Sequence, residues 1–173
     1  MGLIDMRIRK AAPEDSGRLG LIHVKTWQEA YKGIVPEEKL NNMSPDNSAE
    51  FFRENLGDDE NIEVGVVEIE KELAGFITIG KCRDDDLNNN TGEIYGLYIL
   101  PDKQGAGLGS KLLEWGISRL RKMDFEIVVL WVLKANKEAI NFYRSRGFSR
   151  EGREDHLEIG KKLKKVRMIK ALT

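Results

Sequence analysis

Cysteine and histidine are scarce in this sequence of 173 residues, and their scarcity excludes two classes of structure. The single cysteine, Cys82, cannot form a disulfide within the chain, so a disulfide-rich secreted scaffold is excluded and a reducing compartment is expected. Two histidines beside one cysteine do not supply the ligand cluster of a zinc site, so we expect no metal.

Long apolar runs and an excess of charge are also missing. No run approaches the roughly 18 apolar residues of a membrane span, and the N-terminal segment lacks the long apolar centre of a secretory signal. The 28 Lys and Arg residues nearly balance the 29 Asp and Glu residues, so nothing favours nucleic acid as a partner. We therefore expect a cytoplasmic protein that acts on a small molecule, with no membrane and no nucleic acid as partner.

What the sequence does contain is enough for one folded domain. Hydrophobic residues make up 40% of the 173 residues, which suffices for one sizeable core and is short for two. No internal repeat or domain linker is present, and the polar stretch DDDLNNNTG has the composition of a loop. We predict a single domain over residues 1–173.

Hydrophobic periodicity and turn residues predict the element order β α α β β β α β α β β. The predicted strands are, in chain order, MRIRKA, the two halves of IEVGVVEIEKELAGFITIG, GEIYGLYIL, FEIVVLWVL, FSREGR and KKVRMIKAL. The predicted helices are PEDSGRLGLIHVKTWQEAYKG, SPDNSAEFFRENLG, GLGSKLLEWGISRLRKMD and NKEAINFYRSRGF. The nearly continuous apolar run FEIVVLWVL is typical of a central strand.

The stretch LPDKQGAGLGSKLLEW, residues 100–115, places three glycines at alternate positions before a helix. Pro101 prevents the preceding strand from continuing, so the glycine loop leads directly into the helix N-terminus. The unpaired amide groups and the helix dipole there attract an anion such as a pyrophosphate, and glycine lets it come close to the backbone. A glycine-rich turn without a ligand is the alternative at this point.

Three familiar phosphate-binding loops do not fit the spacing of this motif. A Walker loop needs Gly-Lys followed by Ser or Thr, whereas here Ser110 precedes Lys111. The dinucleotide fingerprint and the kinase glycine loop both need a further glycine three positions after Gly107, where Ser110 stands. The motif therefore requires another explanation.

The segments EIYGLYILPDK, QGAGLG and WVLKANKEAINFYRSRGF together resemble both signature regions of the GNAT superfamily of acetyl-coenzyme A dependent N-acetyltransferases, over roughly residues 93–148. TWQEAYKGIVPEEKL is similar to a branch that includes the PaiA-type polyamine acetyltransferases, but it does not fix a substrate. The resemblance implies an α/β GNAT-like fold with a mixed sheet of about seven strands flanked by four helices. It also implies that the fourth and fifth strands splay apart to form a wedge for acetyl-CoA.

The resemblance carries a set of cofactor-binding positions onto this chain. The backbone of the fourth strand would pair with the pantetheine arm, and the glycine loop would wrap the pyrophosphate, with no room for side chains at two of its glycines. Asn136 would hold the cofactor arm, although a polar residue there is also an ordinary helix cap. The implied positions are Leu97, Tyr98, Ile99, Gln104, Gly105, Ala106, Gly107, Leu108, Gly109, Ser110 and Asn136.

Two catalytic residues follow from the same resemblance. Tyr143 matches the tyrosine that protonates the departing coenzyme A thiolate, and the alternative is a core aromatic residue. Glu93 matches a glutamate that deprotonates the incoming ammonium, which must become neutral before it attacks a thioester. The alternative for Glu93 is a surface residue at a strand start.

The acceptor side is expected around the first two helices, where Trp27, Glu29 and Tyr31 are candidate substrate-binding residues. Trp27 and Tyr31 are also spaced for core packing, and the acidic run 84–86 is either a solvated loop or an attractant for cationic amines. His23 is expected to be packed or solvent-facing.

The expected activity is transfer of acetyl from acetyl-CoA directly to a primary amine of a small molecule or peptide. A non-catalytic coenzyme A sensor and an acyltransferase that uses another acyl-CoA stay open as alternatives. No residue decides whether the chain forms a homodimer.

Overall fold

A computed structural model describes residues 3–57 and 62–173. The described residues form a seven-stranded mixed sheet with five α-helices, an α/β fold. The strands are β1 (Met6–Lys10), β2 (Ile62–Ile69), β3 (Glu72–Lys81), β4 (Thr91–Ile99), β5 (Ile127–Leu133), β6 (Ser149–Glu158) and β7 (Lys162–Ala171). The helices are α1 (Ser16–Ala30), α2 (Glu37–Asn41), α3 (Pro45–Asn55), α4 (Leu108–Lys122) and α5 (Lys137–Arg144).

The strand order across the sheet is β1-β2-β3-β4-β5-β7-β6. Strands β1 to β4 pair antiparallel with their neighbours, and so do β5, β7 and β6. Only the pair of β4 and β5 is parallel among these neighbours, so its connection must cross over the sheet, and α4 makes that crossover. Apart from the short additional helix α2, the predicted element order is confirmed, and β5 lies in the interior of the sheet as predicted.

The core lies on both faces of the sheet because successive side chains of a strand point to opposite sides. On one face Ile77 of β3 packs in a cluster with Leu112 of α4 and with residues of α5. On the other face Phe76 packs with Ile22 of α1 and Phe52 of α3. The helices α4 and α5 therefore cover one face, and α1 and α3 cover the other. Every helix in the described ranges is too short or too polar to span a membrane.

Two local features are not explained by the usual sequence patterns. The five-residue helix α2 was not predicted, since a segment of one turn is too short to show a helical period. The hairpin between β2 and β3 turns through Glu70 (φ 50°) and Lys71 (φ 68°), both in the left-handed region. A two-residue turn of this type needs positive φ at both positions, which explains the tight hairpin in the absence of glycine.

Candidate active site

The strands β4 and β5 part in the middle of the sheet. Their parallel pairing covers only Thr91–Ile94 against Ile127–Leu130, although both strands continue beyond it. The pairing of β3 with β4 also shifts by one residue, so Tyr95 lies in a bulge before Gly96. A bulge increases local twist, which turns the second half of β4 away from β5. The predicted splayed wedge is thus present between the fourth and fifth strands.

The predicted pantetheine-binding residues lie on this parted half of β4. Among the described residues no strand pairs with the β5-facing edge of Leu97, Tyr98 and Ile99. The side chain of Gln104 donates to the Ile99 carbonyl at 3.0 Å, which ties the start of the glycine loop to the end of β4. The wedge and the glycine loop are therefore one continuous surface.

The glycine loop has the backbone geometry of an anion site. Gly105 (φ 85°) and Gly107 (φ 79°) are left-handed, and Gly107 is the N-cap of α4. Within the described chain nothing accepts a hydrogen bond from the amide groups of residues 105–110. A Cβ at Gly105 or Gly107 would meet no atom within 4 Å, so the protein itself needs glycine there for its backbone conformation. The open space in front is where the predicted pyrophosphate would lie.

The sequence analysis missed one cation beside this loop. Arg146 donates through Nε to Ser110 Oγ at 2.9 Å, and its guanidinium lies 3.9 Å from the centre of the Phe142 ring. No carboxylate in the described ranges forms an ion pair with Arg146. Its charge therefore adds to the positive potential at the α4 N-terminus. Its position three residues after Tyr143, in the turn that follows α5, was the available signal.

Asn136 combines two contacts at the start of α5. Its side chain accepts from the Ala139 amide at 3.2 Å, which confirms the helix-cap role. The same side chain lies beside the Tyr31 hydroxyl, where its hydrogen bond lowers the pKa that burial otherwise raises. This contact links α5 to the end of α1 across the wedge. The role of Asn136 in holding the cofactor arm stays a prediction.

Three tyrosine side chains approach one another where the wedge opens. Burial raises the pKa of Tyr143, and the nearby hydroxyls of Tyr98 and Tyr31 raise it further. Burial also raises the pKa of Tyr98. A hydrogen bond of 3.2 Å from the Trp27 indole lowers that pKa by a smaller amount. The Tyr143 hydroxyl therefore keeps its proton at neutral pH, as a general acid must. Tyr143 also packs edge-on against Phe142 and Phe148, so its ring is a core aromatic residue, which was the alternative interpretation.

Glu93 is buried, with an exposed fraction of 1%, so the alternative of a surface residue at a strand start is wrong. Its carboxylate accepts from the Arg83 amide at 3.0 Å, from Nε at 3.2 Å and from Nη2 at 2.9 Å. The Arg83 side chain is 66% exposed and lies 4.3 Å from the centre of the Tyr95 ring. Glu93 therefore lies directly behind the Arg83 guanidinium, which separates it from solvent.

The candidate acceptor residues of α1 separate into two groups. Trp27 and Tyr31, four residues apart, contact each other edge-on at 4.7 Å and face Tyr98. Glu29 is exposed and lines a different cavity, together with Pro101. Positions 27 and 29 are about 200° apart around a helix, which accounts for the separation. The structure thus brings Trp27 and Tyr31 to the wedge and does not bring Glu29 there.

A cavity of about 740 Å³ lies on the α1 and α3 face of β4. Its walls include His23, Phe51, Phe52, Phe76, Gly96 and Tyr98. His23 Nδ1 lies 2.9 Å from Ser48 Oγ, and burial lowers the histidine pKa, so its ring is neutral at neutral pH. We call this space the aromatic cavity. His23 was expected to be packed or solvent-facing, and only the packing of α1 on α3 places it in a cavity wall.

The acidic run Asp84–Asp86 is neither a freely solvated loop nor a free attractant. Arg167 of β7, 2% exposed, pairs with Asp84 at 2.9 Å, Asp86 at 2.7 Å and Glu151 at 2.9 Å. Hydrogen bonding to Arg167 lowers the pKa of Asp86 to about 2. Asp84 also accepts from the Trp131 indole at 2.9 Å. This cluster holds the loop that carries Arg83 to the aromatic cavity.

Comparison with known proteins adds family information to this geometry. The model of the acetyltransferase (GNAT) family matches residues 24–148. The chain is 32% identical to the uncharacterized N-acetyltransferase YuaI of Bacillus subtilis, over 92% of the chain and 89% of that protein. It is 28% identical to an uncharacterized N-acetyltransferase of Archaeoglobus fulgidus, over 84% of the chain and 94% of that protein.

A similar fold is found in a PaiA N-acetyltransferase from Thermoplasma acidophilum, which was solved in complex with coenzyme A. The TM-score is 0.75 at 23% identity, over 96% of this chain and 99% of that one. Within the described residues no group of three His, Cys, Asp or Glu side chains could hold a metal ion.

Proposed function

The chain belongs to the acetyltransferase (GNAT) family, and from this premise we propose that it transfers acetyl from acetyl-CoA directly to a primary amine. The amine belongs to a small molecule or a peptide. The observation that carries the proposal is the parting of β4 from β5 beside a glycine loop with free amides. We also propose that residues 1–173 act as one acetyltransferase domain, since strands from both ends of the chain share the sheet.

The described residues fit acetyl-CoA as donor. The parted edge of Leu97–Ile99 offers backbone groups to an extended arm, as an added strand would need. The amides of residues 105–110 and the nearby Arg146 suit a pyrophosphate. Acetyl-CoA supplies an activated thioester when it is bound. The chain's own contribution is to orient that thioester beside Tyr98 and Tyr143.

We propose Tyr143 as the general acid. Its raised pKa keeps the hydroxyl protonated, which supports this role, and the proposal requires that proton to lie near the sulfur of the thioester. As the C–S bond breaks, the hydroxyl gives its proton to the sulfur and is later reprotonated from solvent. The required help is modest because a thiol with a pKa near 8.5 is already a fair leaving group.

We propose Glu93 as the base that takes the proton of the incoming ammonium. Its carboxylate is covered by Arg83, whose side chain is 66% exposed and would have to move aside before an amine could reach the carboxylate. His23 is the alternative base. Its neutral ring lines the aromatic cavity, and among the described residues its Nε2 has no hydrogen-bond partner.

The test is a thiol-release assay with acetyl-CoA across polyamines, amino acids, arylalkylamines, aminoglycosides and peptide N-termini, after calorimetry has measured acetyl-CoA binding. Release that depends on one amine class supports the proposal and names the acceptor chemistry. Tight binding of acetyl-CoA without amine-dependent release would instead favour a non-catalytic sensor. A second series with longer acyl-CoA donors tests whether acetyl is the preferred group.

A further inference from the structure

The aromatic cavity has an inner end at the reaction centre. Tyr98 and Gly96, which line it, belong to the parted half of β4. A Cβ at Gly96 would approach the Tyr98 ring to 2.5 Å, so the missing side chain leaves room for that ring beside the bulge. Because the backbone of Tyr98 lies on the edge of β4 that is predicted to pair with the pantetheine arm, a group at this end of the cavity is close to the predicted position of the thioester.

Successive aromatic rings run from this inner end to the surface. Tyr98 contacts Phe76 with ring centres 5.2 Å apart, and Phe76 contacts Phe52 at 5.2 Å. Phe52 in turn contacts Phe51 at 5.5 Å. The first contact is tilted and the other two are edge-on, and together they form a continuous apolar wall. All four rings line the aromatic cavity, so this side of it is apolar.

Phe51 stands at the outer end with half of its surface exposed. It is one of three large apolar side chains in the described ranges with exposed surface of this kind, and the other two, Leu3 and Ile4, are not cavity residues. A ligand in the cavity would remove the exposed face of this ring from water, which favours binding of an apolar group there. The cavity volume of about 740 Å³ lies within the roughly 300–1,000 Å³ of small-molecule sites.

The charges of the wall do not suit a polycation. In the described part of the chain, the charged side chains that line the cavity are Lys81 and Arg83, and no carboxylate lines it. A linear polyamine would bring one or more further ammonium groups into the cavity, where they would lose water without an acidic partner. An acceptor whose only cation is the reacting amine avoids this cost.

We propose that the acceptor is a primary amine with an aromatic or similarly bulky apolar body, bound in the aromatic cavity with its amine toward Tyr98. This inference rests on the proposed acetyltransferase function and deepens it. It also separates this chain from the polyamine acetyltransferases that its N-terminal segment resembles. The body of the acceptor would lie along Phe76 and Phe52 and cover the exposed face of Phe51.

The experiment compares 2-phenylethylamine, ethylamine and spermidine as acceptors in the thiol-release assay. The first two share the reacting chain and differ by the ring, so their ratio isolates the ring's contact with the wall. We expect kcat/KM for 2-phenylethylamine to be at least about tenfold above that for either other amine, since one methylene in an apolar pocket already gives about that factor. Equal or higher kcat/KM for spermidine overturns the inference and leaves the acetyltransferase function intact.

Phe51→Ala tests the placement of the acceptor. We expect it to raise KM for 2-phenylethylamine about fivefold and to raise KM for ethylamine less, because ethylamine has no ring to contact the wall. Phe51→Leu should restore most of the loss, and Leu3→Ala is the matched change of an exposed apolar residue outside the cavity. An unchanged KM in Phe51→Ala contradicts the placement.

A direct binding measurement separates this inference from the function on which it rests. Calorimetry titrates 2-phenylethylamine into the protein saturated with coenzyme A, without turnover. Binding that Phe51→Ala weakens supports the cavity even if no amine is acetylated, in which case only the proposed function fails. Absence of binding, with acetylation of other amines intact, overturns the inference alone.

Discussion

The glycine loop and the aromatic cavity meet at β4, but they are made of different groups. The loop side consists of backbone amides and left-handed glycines within one short segment, residues 104–110. The cavity side consists of side chains from α1, α3, β3 and β4, which are far apart in sequence. Backbone groups suit a ligand part that is always the same, whereas side chains can be exchanged without rebuilding the fold. The two sides should therefore respond differently to substitution.

Arg167→Met should have the largest effect, because it removes the support of the cavity side. It leaves Asp84, Asp86 and Glu151 without their shared cation, and we expect the free energy of unfolding to fall by about 3–5 kcal/mol. Urea denaturation measures this loss. Arg153→Met is the matched control, since Arg153 pairs with Asp86 at 3.4 Å from an exposed position. An equal decrease in the free energy of unfolding in both variants would show that Arg167 does not stabilise the loop more than an exposed arginine does.

Gly107→Val should break the loop side and spare the cavity side. A branched side chain cannot easily adopt φ 79°, so the loop must rearrange and turn its amides away. We expect acetyl-CoA affinity to fall about 100-fold or more by calorimetry, with 2-phenylethylamine binding to the free protein unchanged. Gly17→Val in α1 is the control, because Gly17 has neither a positive φ nor a neighbour near its Cβ. Unchanged acetyl-CoA affinity in Gly107→Val would exclude the loop as the pyrophosphate site.

Glu93→Gln tests the group that lies between the two sides. If Glu93 is the base, kcat/KM falls about 100-fold and the acidic limb of its pH profile disappears. Arg83→Met keeps the carboxylate while removing its cover, so the limb should persist in that variant. A limb that survives Glu93→Gln and vanishes in His23→Gln would assign the base to His23 instead. Thermal melting of each variant checks that the fold is retained.

Tyr143→Phe should have a smaller effect that is confined to turnover. The ring keeps its packing against Phe142 and Phe148, and only the hydroxyl is lost. We expect kcat to fall about tenfold with little change in acetyl-CoA affinity, because a thiolate leaves fairly well without an acid. Unchanged kcat would remove Tyr143 from the mechanism and leave it as a core residue.

The same contrast explains what the sequence could predict. The loop side follows from local patterns, since Pro101 ends the strand and the glycines permit the turn, and the element order follows from periodicity. The parting of β4 from β5 came from the family resemblance and not from the residues themselves. The structure shows where the two strands separate, because Ile94 and Leu130 are the last residues of β4 and β5 that pair.

The cavity side depended on contacts between distant segments. Arg167 and Asp84 are 83 residues apart, and no local pattern indicates that they pair. His23 appeared unremarkable because its cavity exists only once α1 packs on α3. Glu29, chosen for its charge, lies on the other side of α1 from Trp27. Tertiary packing thus decides which polar residues face the acceptor.

His23 allows the smallest of these tests, through stability instead of activity. Burial lowers its pKa in the folded protein, so as pH falls below about 6.5 the unfolded chain binds a proton that the folded chain does not. Folded stability should therefore decrease on acidification, by about 1.4 kcal/mol for each unit between the two pKa values. His23→Gln should remove this part of the pH dependence in urea titrations between pH 7 and 5, whereas the exposed His156→Gln serves as the control. If both variants change the profile equally, the His23 ring is not held neutral by the cavity wall, and its candidacy as the alternative base fails.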